Sequence, residues 1–101
     1  MARIAFYLRI KDGKRDEYRD VHEAVPVANK RAYLDADLEV STFSVFEDDG
    51  HVFGFMETDD PEGVRELIAS NEALLAWSEK MDSILREPDG DIWIDEIYRM
   101  F

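Results

Sequence analysis

Cysteine is absent from all 101 residues of the chain. That excludes disulfides, thiolate nucleophiles and Cys-built zinc sites. Histidine is scarce, with only His22 and His51. They form no His-Glu-x-x-His pair and fall on separate segments, a poor start for a metal centre. The five glycines, at 13, 50, 54, 63 and 90, match no phosphate-cradling fingerprint. No apolar run approaches the roughly 20 residues that cross a bilayer, and the N-terminus lacks a signal-peptide pattern. The expectation is a soluble, cytoplasmic protein. Basic charge is also short, at 12 Lys and Arg against 24 Asp and Glu, a net charge of −12. A phosphate binder needs a basic face, so nucleic acid and anionic membranes are excluded as partners.

What is present is a chain able to fill one core. Hydrophobic residues make up 46% of it, too many for a disordered segment. One domain over residues 1–101 is expected. The acidic excess suits high ionic strength, where salt screens self-repulsion, and points to a salt-adapted source.

Arg3 to Ile10 alternates with period two, with Ile4, Phe6, Leu8 and Ile10 on one side and Ala5, Tyr7 and Arg9 on the other. That is a strand. From Lys14 to about Leu34 the period becomes helical, with a kink or break at Pro26, which has no N–H to give to His22. Glu39–Glu47 and His51–Glu57 are β-rich, and Glu47-Asp48-Asp49-Gly50 between them is turn chemistry, so they form a hairpin. Asp60-Pro61 opens a helix. A further helix is expected over about Asn71–Leu85, capped by Ser70, and a last strand over Ile92–Tyr98.

The order β-α-β-β-α-β defines an α+β, ferredoxin-like fold with an antiparallel sheet and helices on one face. The hairpin is apolar on both sides. Val40, Phe46, Val52 and Met56 are assigned to one face, and Phe43, Val45, Phe53 and Phe55 to the other. Helices cover only one face, so a second chain is expected to cover the other, giving a sheet-on-sheet homodimer.

Few residues carry chemistry. His22 lies one helical turn after Tyr18, on a face that includes Val21 and Val25 and so points inward. An inward imidazole beside a phenol is a general acid/base pair, or else a core histidine bonded to a backbone carbonyl. Trp77 is either core packing or a platform for the apolar face of a sugar. His51, in a hairpin turn, is expected at the surface. Asp20 and Glu23 point away from His22 as a solvated face.

At these residues the chain resembles the L-rhamnose mutarotase family. Glu17-Tyr18-Arg19-Asp20-Val21-His22 matches its Glu-Tyr-x-x-x-His motif. The segments Ala5–Ile10, Thr42–Phe46, Phe53–Glu57 and Trp77–Met81 resemble its strands and its Trp-Trp-x-x-Met helix. The resemblance implies a dimeric α+β barrel that interconverts sugar anomers without a cofactor, with no metal. It implies His22 as proton donor and Tyr18, Phe43, Trp77 and Ser78 as substrate-binding positions. Phe43 stands where the family has a Tyr, Ser78 where it has a second Trp, and Ala24-Val25-Pro26 where it has Ile-Trp-Pro. The implied partners are a small-molecule sugar and a second copy of the chain. Two other readings accompany this one: a cofactor-free monooxygenase of the same dimeric barrel architecture, and a non-catalytic ligand-binding or dimerisation module. Glu57 is a candidate base.

Overall fold

The structure, a computed structural model, describes residues 2–101. Alternation in the first segment produces β1 (Ala2–Arg9), which pairs antiparallel with β3 (His51–Thr58). β2 (Val40–Asp48) pairs with the other edge of β3, and β4 (Trp93–Ile94) with the other edge of β1. The sheet order β2-β3-β1-β4 is the ferredoxin-like antiparallel arrangement. Asp49 and Gly50 both have positive φ, 49° and 80°, the geometry that two-residue hairpin turns require.

The helical stretch after β1 is two helices. α1 (Arg15–His22) stops before Pro26, and α2 (Val27–Asp35) starts after it. The missing N–H and fixed φ of Pro26 make it a helix start rather than a helix interior. Asp60 caps α3 (Pro61–Ser70) by accepting from the Gly63 amide at 3.0 Å. α4 (Glu72–Asp82) is capped by Asn71, not Ser70. The Asn71 carboxamide oxygen accepts from Ala73 and Leu74, while the Ser70 hydroxyl donates back to the Glu66 carbonyl. No helix among the described residues is long and apolar enough to cross a membrane.

The even-numbered residues of β1 and β3 face the helices. Val52, Met56 and Val64 are fully buried, and Ile10, Tyr18, Val52, Met81 and Ile84 form one core cluster. Phe6 lies over Gly54, where an added β-carbon would collide with its ring.

The face assignment within β2 needs correction. Phe43 pairs with Met56 and Val45 with Gly54, so both look toward the helices. Phe46 pairs with Phe53 and looks outward. The register shifts by one residue between Val40 and Thr42, and such a bulge lets Val40 remain on the helix side as well. The outer face still carries Tyr7, Phe46, Phe53, Phe55 and Ile94.

Two other expectations change. The last strand is two residues long because pairing with β1 ends at Ile94, and beyond it Glu96 instead accepts from Arg3 Nε at 2.7 Å. His51 is half-buried, not a free turn residue. Arg9 Nη1 donates to its Nε2 at 2.9 Å, and the Tyr7 hydroxyl lies 2.7 Å from its Nδ1. The same Nη1 also lies 3.2 Å from Nδ1; a guanidinium only donates, so the imidazole accepts from Arg9.

Candidate active site

Between the helices and the inner face of the sheet lies a cavity of about 710 Å³. It draws on every layer of the fold: Phe6 and Leu8 from β1, Tyr18 and His22 from α1, Asn29 and Tyr33 from α2, Phe43 and Val45 from β2, and Trp77 and Met81 from α4.

The helical spacing of Tyr18 and His22 stacks their rings on one face of α1, with centroids 4.3 Å apart. His22 Nδ1 sits 2.8 Å from the Tyr18 backbone carbonyl. A carbonyl only accepts, so Nδ1 holds a proton and donates it. Nε2 is left as the ring atom that takes or gives a proton. The Trp77 indole meets the same imidazole edge-on, with centroids 5.2 Å apart. The imidazole is therefore held on three sides, by its own helix carbonyl, the Tyr18 ring and the Trp77 ring.

The phenols are tuned by burial. Tyr18 is 5% exposed, and desolvation, reinforced by the nearby Glu47 carboxylate, pushes its hydroxyl up to about 12. Tyr33 is pushed up to about 12 by burial alone. Both stay neutral near pH 7, so they act as hydrogen-bonding groups and not as bases. Glu47, whose side chain is only 6% exposed, is held down to about 2 by its bond from Arg15, by the Gly50 amide and by Arg19. That network ties α1 to the hairpin and so fixes where α1 presents His22.

Of the residues singled out in the sequence, the structure brings His22, Tyr18, Phe43 and Trp77 together around the cavity. Ser78 is not among the lining residues and lies exposed on α4. Glu57, raised as a candidate base, pairs with Thr42 and Arg3 on the outward side of the sheet, away from the cavity. Glu39 is the carboxylate among the lining residues. The sequence reading did not single out Asn29 and Tyr33. Their signal was available: within α2, Asn29, Ala32 and Tyr33 share one helical face, and a polar residue beside the buried Ala32 stands out there. Among the described residues no three His, Asp or Glu side chains cluster as metal ligands do.

Several solved structures share the fold. An L-rhamnose mutarotase from Formosa agariphila is 22% identical, covers 100% of both chains and superposes with a TM-score of 0.79. An antibiotic biosynthesis monooxygenase is 17% identical over 97% of this chain and 100% of its own, with a TM-score of 0.65. A Mycobacterium tuberculosis protein is 14% identical over 99% of this chain and 98% of its own, with a TM-score of 0.64. A sequence search of curated proteins returned no match. The family model for L-rhamnose mutarotase matches residues 3–101, nearly the full length that folds around the cavity, and the chain belongs to the L-rhamnose mutarotase family.

Proposed function

We propose that the protein is a sugar mutarotase, an isomerase that interconverts the α and β anomers of L-rhamnose or a related free monosaccharide by acid/base catalysis without a cofactor. Family membership supports the reaction class. The observation that carries the mechanism is the proton inventory of His22: Nδ1 is committed to the Tyr18 carbonyl and Nε2 is left for a ligand.

Mutarotation breaks and remakes one carbon–oxygen bond. A proton reaches the ring oxygen as the anomeric hydroxyl loses one, and the ring opens to the aldehyde. Rotation about the bond next to the carbonyl exposes its other face. The hydroxyl adds back, and the two protons return. Protonated His22 supplies the first proton from Nε2 while Nδ1–H stays on the carbonyl, so the ring need not turn between steps. The hydroxyl proton leaves to water in the cavity. A positioned general acid contributes typically about 10²- to 10⁴-fold. Tyr18 holds the sugar with its neutral phenol, and the Trp77 indole and Phe43 ring offer apolar surface to the carbon-bearing face of the pyranose.

The working unit we infer is a homodimer, with Phe46, Phe53, Tyr7 and Ile94 on the outer face of the sheet meeting their copies. Phe46 is 59% exposed and Phe53 48% exposed in the single chain, beside Phe55 in one apolar face. An apolar face of this kind on a soluble chain favours a partner.

Saturation-transfer NMR on L-rhamnose and L-fucose tests the reading. Catalysed exchange between the anomeric signals is expected, and His22→Ala is expected to remove it while the circular dichroism spectrum is kept. Exchange no faster than in buffer alone on every sugar tried overturns it.

A further inference from the structure

We propose that Asn29 and Tyr33, one turn apart on α2, form a subsite that reads the sugar hydroxyls lying away from His22 and so sets which monosaccharide the cavity accepts. The proposal rests on the reading of the cavity as a sugar site.

Asn29 is one of two buried polar residues in the described chain, at 8% exposed. It does not cap α2, whose first flanking residue is Pro26. Asparagine is a poor helix former without a capping role, so its place here is not explained by the helix. Its side chain makes no hydrogen bond among the described residues, yet its polar atoms are not among those sealed off without a partner. They therefore open on the cavity that the residue lines. A carboxamide with both its oxygen and its NH₂ unspent on the protein and open to the cavity is free to bond a ligand in place of water.

Tyr33 follows at i+4 and lies on the same helical face. Its ring stands edge-on to Phe43, with centroids 5.7 Å apart and planes at 84°. That contact orients the phenol, whose hydroxyl makes no hydrogen bond among the described residues. Phe43 across from it offers no polar atom, so at this contact the hydrogen-bonding groups are those of α2.

The two groups together offer two acceptor oxygens and three N–H or O–H donors. That set suits the vicinal hydroxyls of a pyranose, each of which donates once and accepts as well. The carboxamide can bridge two adjacent hydroxyls and the phenol can take a third. A site that hydrogen-bonds a substrate hydroxyl rejects the analogue lacking it, because its own groups are left unpaired.

The test measures KM and kcat by saturation-transfer NMR, and Kd by ligand-observed NMR. It uses L-rhamnose, L-fucose and the 3-deoxy and 4-deoxy analogues of L-rhamnose. For Asn29→Ala and Tyr33→Phe, KM and Kd for the best natural sugar are expected to rise roughly 3- to 10-fold, the range one neutral hydrogen bond gives. kcat should fall far less. The preference for that sugar over the deoxy analogue should narrow by the same factor, which a merely structural role for either residue does not produce. The unaltered protein run on the deoxy sugars guards against a variant that fails to fold. If the natural and deoxy sugars bind alike to the unaltered protein, or both variants keep its KM and Kd, the subsite is wrong even where exchange is catalysed. If no exchange occurs but Kd still depends on Asn29 and Tyr33, the subsite stands and the mutarotase reading falls. If none of the sugars binds, both fall.

Discussion

The Trp77 indole and the His22 imidazole stand edge-to-face, ring planes 86° apart and centroids 5.2 Å apart. An edge-to-face pair holds both rings in one orientation and is worth about 0.5–1.5 kcal/mol beyond the area it buries. Trp77→Phe should keep an edge-on partner and most of the exchange rate. Trp77→Ala should free the imidazole and lower kcat about 10-fold or more, with the loss read by saturation-transfer NMR. In a Trp93→Phe background Trp77 is the remaining tryptophan. Its fluorescence should then change when sugar binds, and a spectrum unmoved at saturating sugar would place the ligand elsewhere.

Glu47 makes the fold acid-sensitive. Its carboxyl is held at about 2 against an ordinary value of 4.5, first by Arg15 and then by the Gly50 amide. A depressed folded value means the stabilisation is fully present above the unfolded value and is lost as pH falls toward the folded one. Melting temperature should drop between pH 4.5 and pH 2. Glu47→Gln should melt lower than the unaltered protein at pH 7, and the two curves should converge near pH 2. Parallel curves across that window would show that Glu47 is not the group responsible.

The outer sheet face gives a clean test of assembly, because Phe53 is already half-exposed in the single chain. Phe53→Asp should leave the protomer folded and prevent its association, since an unpaired charge in an apolar interface is costly. Light scattering should report twice 11.8 kDa for the unaltered protein and 11.8 kDa for the variant. A monomer before the substitution would remove the dimer.

Salt should stabilise the chain. With a net charge of −12, self-repulsion opposes the compact state. Screening is nearly complete by about 1 M salt, so melting temperature should climb from about 0.1 M KCl toward the molar range. A flat profile would count against salt adaptation.

Local signals made much of the fold legible. The alternation of Ile4, Phe6, Leu8 and Ile10, the turn at Asp49-Gly50 and the helix start at Asp60-Pro61 each act within a few residues, and each appears where expected. The facing of Phe43 and Phe46 was not legible. Their side depends on the bulge near Ser41 and on pairing with β3, which is a relation between strands and not a property of either one. The Tyr18–His22 pair was readable because one helix holds both members. Its placement opposite Trp77, 55 residues further on, follows from packing. Asn29 and Tyr33 came into view only after Pro26 had split the helix and set a new phase for α2.

Gly54 lies beneath Phe6. The Phe6 ring lines the cavity, and it rests where a side chain at position 54 would project. The depth of the cavity is thus encoded by an atom the chain does not have. Positions 6 and 54 share a single volume, so among homologous chains they should covary: a side chain gained at one demands a smaller ring or none at the other. A change at position 54, in a strand that contributes no residue to the cavity lining, would then be an inherited record that the cavity had been reshaped.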